Sequence, residues 1–550
     1  MTGFFWLGII VLPLLSALLL LDAGKRWRPL IWLAPLPALG LAWFPLEVLR
    51  VDFLWPGARW GVEDDLARNW LGFTALLWLG AGLYAWQNHK DDPHAPRFQA
   101  FWLLTLTGNL LLLIALDGIS FYVGFTLMSI SAYGLIIHKG GPGPIQAGRL
   151  YVQLAILGEM LIYAALMLRI QEAEGSLLLS DWQQSPISPL TASLLLVGFG
   201  IKAGFFPLHI WLPLAHPAAP PAASAVLSGA MIKAGILGLW RFLPEADANL
   251  ANWSPWLIAL GLVSAFYGVA LGLLQTRVKT ALAYSSISQI GYLLVILGLA
   301  LGTVHDVSPW PAALALFGVH HGLAKGALFM GAGLAMTVKL PRSAWVLMTL
   351  PALALAGLPL TGGAIAKTAL KTGVYDSDLT MLITLLSLGS LTTTLLVIRI
   401  MVLMRQANEA IANHNRMPRA YWCSWGLLSL TPLLLPWLWP VFIDNRSKAL
   451  AADALWDQMS PILLAFILYG IVSRLMAGKT LPDPGLGLSR WISLRLKKGL
   501  QPAKPATSPP AEPARALPPL GTRWQKQTDS VTLASALLAA LLLLLIGWLV

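Results

Sequence analysis

The chain has 550 residues, of which 57% are hydrophobic and only 11% are charged, and its formal net charge is +12. A soluble protein of this length needs a more polar surface, so the composition indicates an integral membrane protein. The positive charge is then expected in cytoplasmic loops and not at a nucleic-acid site. A single cysteine, Cys423, excludes a disulfide framework and a cysteine-ligated metal centre.

Apolar blocks of membrane-spanning length recur along the whole chain. A helix needs roughly 20 apolar residues to cross a ~30 Å hydrocarbon core, and blocks of that length predict about sixteen crossings. The first block has no basic residue before it and no clear cleavage site, so we interpret it as a retained helix. The predicted spans are 4–21, 29–47, 67–86, 99–117, 119–137, 150–170, 191–211, 219–243, 253–274, 281–301, 309–336, 345–370, 379–404, 421–443, 459–476 and 530–550.

The charges of the loops support this count independently. Odd-numbered loops are rich in lysine and arginine, even-numbered loops lean acidic, and the alternation continues along the chain. By the positive-inside rule, the odd loops are cytoplasmic. We therefore expect both termini on the periplasmic side of a bacterial inner membrane.

Prolines and glycines interrupt two of the spans near their centres. The seventh span carries Pro207 and Pro213, and the twelfth carries Pro351, Gly357 and Pro359. Because proline removes a backbone donor, both helices are expected to unwind near the middle of the membrane. The two breaks hold the same place in two sets of five spans, which predicts repeats of inverted topology.

The predicted fold is therefore an all-α polytopic membrane protein with about 14–16 transmembrane helices. A basic amphipathic stretch and a proline-rich segment are expected to form a cytoplasmic linker before the last helix. The predicted regions are N-terminal helices at 1–98, inverted repeats at 99–243 and 253–404, C-terminal helices at 405–477, the linker at 478–529 and the last helix at 530–550.

Ionisable residues lie inside several predicted spans, where a charge costs from a few to more than about ten kcal/mol. Burial disfavours the charged form of a lysine, and a nearby carboxylate restores it. Lysines in such positions, linked by histidine and water, predict a relay that translocates protons or sodium ions. The residues are Lys202, Lys233, His321, Lys325 and Lys367, with one carboxylate, Glu159.

Other polar residues in the spans have weaker claims to a role. Ser285 and Ser288 are expected to order water, and His320 is more often a packed neighbour than a relay member. His209 and His216 flank the proline break and are expected to satisfy backbone groups that it frees. Two relay candidates have structural alternatives: Lys367 can extend to the membrane interface, and Glu159 can simply pair with a lysine.

Motifs for enzyme chemistry are missing from the sequence. It has no phosphate-binding glycine loop, no metal-ligand spacing and no nucleophile elbow. We therefore expect no cofactor, no bound metal and no catalytic chemistry of the chain's own.

Five motifs occur in order between residues 99 and 404: KAGFFPLHIWLP, SGAMIKAGILGLWRF, TALAYSSISQIGY, HHGLAKGALFMGAG and AGLPLTGGAIAK. Together they resemble the antiporter-like membrane subunits of respiratory complex I, Mrp-type sodium/proton antiporters and hydrogenase-4-type hydrogenases. The MIKAG form is more similar to the Mrp and hydrogenase-4 branches than to the complex I branch. The resemblance implies paired inverted repeats around a central hydrophilic axis.

The resemblance also implies roles for particular residues. Lys202, Lys233, Lys325 and Lys367 match ionisable family positions on the seventh, eighth, eleventh and twelfth helices, and His321 matches a histidine one turn before Lys325.

Two family residues are missing from this chain. Thr126 stands where the fifth helix of the family carries a glutamate that pairs with the lysine of the seventh, and Phe317 replaces a second histidine. We hypothesise that Glu159 substitutes for the missing glutamate and pairs with Lys202.

These observations predict a proton-translocating subunit of a multisubunit membrane complex, nearest to a cation (Na⁺)/proton antiporter of Mrp type. Its expected partners are other membrane subunits and lipid, with no nucleic acid. One alternative is the ion-pumping arm of a redox-driven complex of hydrogenase-4 or NADH:quinone oxidoreductase type, powered by cofactors in other subunits. Another is a scaffold that transports nothing, although a scaffold has no need of lysines at such costly positions.

Overall fold

The computed structural model describes residues 2–244, 247–302, 309–375, 379–411 and 417–475. Nearly all of the regular structure in these ranges is helical, which confirms the predicted all-α class. Two two-residue strands, β1 (Leu49–Arg50) and β2 (Arg59–Trp60), pair antiparallel with Leu49 opposite Trp60.

The helices divide into an N-terminal and a C-terminal series. The first series is α1 (Phe4–Ser16), α2 (Leu36–Leu41), α3 (Asp65–Asn88), α4 (Ala95–Ile114), α5 (Gly118–Ile136), α6 (Pro142–Glu172), α7 (Leu179–Gln184), α8 (Pro189–Ala203), α9 (Leu212–Ala218), α10 (Pro221–Val226) and α11 (Lys233–Phe242). The second series is α12 (Ala248–Ala251), α13 (Ser254–Leu273), α14 (Val278–Gly302), α15 (Pro309–Ala335), α16 (Arg342–Ala356), α17 (Gly362–Tyr375), α18 (Thr380–Glu409), α19 (Leu427–Leu438), α20 (Pro440–Ala449) and α21 (Ala452–Leu475).

Nine helices within the described ranges are long and apolar enough to cross a membrane, or ten if a bent pair at Trp422–Leu438 and Pro440–Ala449 counts as one crossing. Three further apolar helices are shorter: Phe4–Leu20, Pro189–Ala203 and Arg342–Ala356. The predicted linker at 478–529 and the last predicted helix at 530–550 lie outside the described residues. The nine helices are Ala95–Ile114, Gly118–Ile136, Pro142–Glu172, Pro221–Phe242, Ser254–Leu273, Val278–Gly302, Pro309–Ala335, Thr380–Glu409 and Ala452–Arg474.

The second predicted span, 29–47, does not form one long helix. The chain instead forms a 3₁₀ helix at Asp22–Leu33 and then the six-residue α2. Prolines lie inside the first segment and at the start of the second. Each proline removes a donor and clashes with the preceding turn, so a continuous α-helix is not stable here.

Two helices end at glycines where the sequence predicts broken spans. Helix α8 ends at Ala203, and Gly204 has a φ of +70°; helix α16 ends at Ala356, and Gly357 has a φ of +95°. A left-handed residue after the last turn is a common helix terminator, and glycine adopts it without steric cost. The chain resumes a helix at Leu212 and at Gly362. That each pair forms one interrupted crossing, and that the repeats are inverted, stay predictions.

The eighth predicted span is also irregular. A π-helical turn at Leu227–Met231 joins α10 to α11 and ends just before Lys233. Such a turn shifts the helical hydrogen-bond ladder by one residue and changes which carbonyls are available to side chains.

Glycines allow two neighbouring helix pairs to pack with their backbones almost in contact. A Cβ atom on Gly108 of α4 would lie 2.4 Å from the backbone nitrogen of Met128 in α5. A Cβ atom on Gly291 of α14 would lie 2.4 Å from the carbonyl oxygen of Gly261 in α13. Small residues at such contacts are the usual basis of close helix association in membranes.

Gly291→Ala is therefore expected to lower the free energy of unfolding by about 1–3 kcal/mol, because the added methyl group forces α13 and α14 apart. Gly470→Ala is the matched control, since no heavy atom lies within 4 Å of the position of its Cβ. Denaturation in detergent would measure both variants. Equal stability of the two variants would contradict the packing described for α13 and α14.

Candidate functional site

Glu159 of α6 and Lys202 of α8 line one small cavity of about 10 Å³, roughly the space that a single water molecule needs. Both side chains are buried. The Lys202 ammonium nitrogen donates to the Tyr151 hydroxyl at 3.1 Å, and that hydroxyl donates to the carbonyl oxygen of Ser129 at 2.7 Å. The cavity therefore contains a cation, a carboxylate and a fixed hydroxyl between α5, α6 and α8.

Thr126 forms a direct hydrogen bond with Glu159. Its hydroxyl donates to a Glu159 carboxylate oxygen at 2.5 Å. The Glu159 carboxylate and the Lys202 ammonium group attract each other across the cavity. Among the described residues, the two groups do not approach within 4.0 Å and so form no direct ion pair. A threonine of α5 thus holds the carboxylate of the neighbouring helix α6.

A second group of buried residues connects Lys233 of α11 with Lys325 of α15. Lys233 donates to the carbonyl oxygen of Ser228 at 2.9 Å, and the Ser228 hydroxyl lies 2.7 Å from that of Ser286. Ser286 donates in turn to the carbonyl oxygen of Leu282 at 3.2 Å.

Lys325 completes this connection from the other side. Its ammonium nitrogen donates to the Leu282 carbonyl oxygen at 2.6 Å and to the Ser285 hydroxyl at 2.8 Å. Lys325 thus bonds to α14 directly, whereas Lys233 is connected to it through Ser228 of the π-helical turn. We call the four residues that join the two lysines the serine bridge: Ser228, Leu282, Ser285 and Ser286.

His320 and His321 lie beside the serine bridge and are fully enclosed by protein. The charges of Lys233 and Lys325 both act on His321, and those of Lys367 and Lys233 act on His320. Neither ring nitrogen of His321 has a partner among the described residues, and Nδ1 of His320 also has none. Buried polar atoms normally have partners, so this arrangement favours internal water.

The remaining candidates differ in their surroundings. Lys367 of α17 is half-buried, and its ammonium nitrogen donates to the carbonyl oxygen of Ala356 at 2.7 Å, where α16 ends. The Ser288 hydroxyl is buried and has no partner in the part of the chain described here. Ser285 therefore contacts a predicted relay lysine directly, whereas Ser288 does not.

Lys279 lies two residues before the predicted tenth span, 281–301, and so falls in a predicted cytoplasmic loop, but it is buried at the start of α14. Its ammonium nitrogen donates to the carbonyl oxygen of Ala219 at 2.7 Å and to the Ser224 hydroxyl at 3.3 Å. Its position directly before the apolar run of α14 was the available signal, because the helix begins at Val278, three residues before the predicted span, and therefore includes Lys279.

The expectation for His209 and His216 was wrong, since neither bonds to freed backbone. His209 pairs through Nε2 with the Tyr267 hydroxyl at 3.2 Å. Neither ring nitrogen of His216 has a partner in the described ranges, and the ring stacks on Phe329 with 4.5 Å between centroids. Two other side chains donate to carbonyl oxygens around this break: Trp211 to that of Ile201, and Ser224 to that of His216.

Comparison with known families gives a match over more than half of the chain. Residues 115–393 match the family described as NADH:quinone oxidoreductase/Mrp antiporter, TM. This range contains all of the predicted relay residues from Glu159 to Lys367.

Individual relatives carry different names. Hydrogenase-4 component B of Escherichia coli is 31% identical over 49% of this chain and 42% of its own length. An NAD(P)H-quinone oxidoreductase chain 4 of Synechococcus elongatus is 30% identical over 68% of this chain and 75% of its own. A putative antiporter subunit mnhA2 of Staphylococcus saprophyticus is 27% identical over 61% of this chain and 45% of its own length. The chain thus spans less than half of the first and third relatives.

Two solved structures share the fold. A chain of the Mrp complex from Dietzia sp. DQ12-45-1b superposes with a TM-score of 0.68 at 19% identity, covering 84% of this chain and 99% of that one. A chain of an archaeal membrane-bound sulfane sulfur reductase superposes with a TM-score of 0.67 at 19% identity, covering 83% of this chain and 98% of that one. The family match, the relatives and the apolar helices lead to one conclusion: this integral membrane chain belongs to the NADH:quinone oxidoreductase/Mrp antiporter transmembrane family.

Proposed function

We propose that this chain translocates protons across a membrane as one subunit of a multisubunit complex. The observation that carries the proposal is the serine bridge, which joins two buried lysines from different helices through hydroxyl and carbonyl groups. The hydroxyls of Ser228, Ser285 and Ser286 both donate and accept, so they can pass on a proton. The carbonyl oxygens of Ser228 and Leu282 only accept, and at these two points the proton crosses through water.

The charge balance of the buried groups supports transport over a purely structural role. Lys233, Lys325 and Lys367 donate to carbonyl or hydroxyl oxygens, and no described carboxylate lies within 4.0 Å of them. A carbonyl oxygen accepts from a neutral amine as well as from an ammonium group. These lysines can therefore change protonation without breaking an ion pair. A scaffold gains nothing from such groups, which are costly in hydrocarbon.

In the cavity of the first predicted repeat, by contrast, a carboxylate and a lysine line the same space. When the Glu159 carboxylate is ionised, it stabilises the charged form of Lys202 across the cavity. A proton that arrives on Glu159 removes this attraction and favours release of a proton from Lys202 towards the serine bridge. We infer that Glu159 replaces the family glutamate that is missing at Thr126.

Within this function, cation (Na⁺)/proton antiport of Mrp type is our leading proposal, supported by the MIKAG motif and the shared fold with a chain of an Mrp complex. The second candidate is the ion-pumping arm of a redox-driven complex, favoured by the resemblance to hydrogenase-4 component B. In both cases the chain itself carries out no covalent chemistry and binds no redox cofactor.

The outer helices suggest where partners bind. The apolar stretch of α15 is wholly buried, whereas only 11% of that of α21 is buried. Exposed apolar faces of membrane helices contact lipid or other membrane subunits. We propose both as partners, in a bacterial inner membrane with the two termini on the periplasmic side, because the basic loops then lie in the cytoplasm.

Glu159→Gln is expected to slow proton translocation by at least about 10-fold, because the uncharged amide cannot stabilise the charged form of Lys202. The double variant Thr126→Glu/Glu159→Gln should recover most of the rate, because residue 126 lies within hydrogen-bond distance of the lost carboxylate. Proton uptake into vesicles that contain the purified complex would measure both.

Glu174→Gln is the matched control, since this glutamate is exposed in a loop. Unchanged transport in Glu159→Gln, combined with loss of transport in Lys202→Ala, would show that Glu159 does not replace the family glutamate. Unchanged transport in both would favour the scaffold.

Ser285→Ala is expected to slow translocation by roughly 10-fold, because it removes a hydrogen bond to a charged group at Lys325. The control is Ser193→Ala, whose exposed hydroxyl bonds only to the carbonyl oxygen of Pro189 in its own helix. The same vesicle assay applies, with melting temperature as a check on folding. Equal rates in the two variants would exclude the serine bridge from the proton path.

A further inference from the structure

Three possible metal ligands meet at one end of the helical bundle. His89 follows α3, Asp92 lies in the connection between α3 and α4, and His138 follows α5. One ligand atom from each residue lies within 4.8 Å of the other two. Two connections that are far apart in the sequence therefore place two imidazoles and a carboxylate around one point. None of the three belongs to the predicted proton path.

The His89 ring is oriented as it is in many metal sites. Its Nδ1 lies 3.0 Å from the carbonyl oxygen of Ala85, which can only accept, so Nδ1 carries the proton. Nε2 is then left with its lone pair. Metal-binding histidines commonly donate their other N–H group to a backbone carbonyl in this way. Stacking on Phe98, with 4.2 Å between ring centroids, fixes the ring plane.

His138 offers its Nε2 atom to the cluster, and the residue is only 7% exposed. This nitrogen lies 2.7 Å from a carboxylate oxygen of Asp92, so the imidazole and the carboxylate already face one point.

Asp92 supplies the negative charge and access from water. One carboxylate oxygen accepts from the backbone N–H of His94 at 2.8 Å, which orients the group, and the other faces His138. The side chain is 23% exposed, so an ion can reach the ligands from solution.

The surrounding charges limit which ion fits. Arg97 donates to the carbonyl oxygen of His138 at 3.0 Å, and the charge of Lys139 acts on His89. These two positively charged side chains make the binding of a cation to the cluster less favourable.

The type of ligand decides which ion fits. Mg²⁺ and Ca²⁺ require mainly oxygen ligands, whereas imidazole nitrogens suit zinc, copper, nickel and cobalt.

We propose that His89, Asp92 and His138 bind one divalent first-row transition-metal ion, with Zn²⁺ as the representative. Ligand nitrogens at about 2.1 Å from zinc lie about 3.4 Å apart in tetrahedral geometry. The three ligand atoms lie within 4.8 Å of one another, so the widest pair closes by at most about 1.4 Å when the ion binds. His138 Nε2 and the Asp92 oxygen, now 2.7 Å apart, separate by about 0.7 Å, and water completes the coordination. The ion joins the α3–α4 and α5–α6 connections.

The purified complex would be treated with EDTA, desalted and then equilibrated with Zn²⁺. Mass spectrometry would measure the bound metal, and the melting temperature would be recorded with and without zinc. The wild-type complex should bind one more ion than the triple variant His89→Gln/Asp92→Asn/His138→Gln and should melt at a higher temperature with zinc. Each single variant should weaken the binding by about 10-fold or more. Asp92→Asn keeps an acceptor for the His94 N–H group, so it tests the charge without removing that support.

His94→Gln is the matched control, because His94 is an exposed histidine two residues from Asp92 and lies outside the cluster. It should bind zinc like the wild type. Equal zinc content and equal melting behaviour in the wild-type and triple-variant complexes would overturn the proposal. A loss of binding in His94→Gln as large as that in the ligand variants would overturn it as well.

Discussion

Hydrocarbon does not solvate charge, so every ammonium group buried in this bundle must find its acceptors within the protein. Lys233, Lys325 and Lys367 all use backbone carbonyl oxygens. In a regular helix those oxygens are already paired with the N–H group four residues later. An irregular backbone therefore supplies the acceptor for two of these three lysines, Lys233 and Lys367.

Particular irregularities accompany particular lysines. The carbonyl that accepts from Lys233 belongs to the π-helical turn at Leu227–Met231, and the carbonyl that accepts from Lys367 belongs to the last residue of α16. Leu282 differs, because its oxygen is shared by a serine hydroxyl and by Lys325 within a continuous helix. The acceptors for the three lysines therefore come from one helix end, one π turn and one serine-rich helix. Close contacts at glycines hold the surrounding helices together.

The sequence was sufficient for the helical class, the family and the burial of Lys202, Lys233 and Lys325, because each depends on local patterns such as apolar runs and ordered motifs. It was not sufficient for contacts between helices. Nothing in the spacing of Thr126 and Glu159 shows that their side chains meet, and the unexpected burial of Lys279 depends on where α14 begins. The second predicted span differed for another reason: apolar composition does not outweigh closely spaced prolines.

We infer that water connects the buried cations, from the Glu159–Lys202 cavity to the histidines beside the serine bridge. A cryo-electron microscopy map of the intact complex, at a resolution that resolves ordered water, would show whether it does. We expect water in the cavity between Glu159 and Lys202 and water bonded to the ring nitrogens of His321. A dry cavity closed by a direct ion pair, together with His321 packed only against apolar groups, would contradict it.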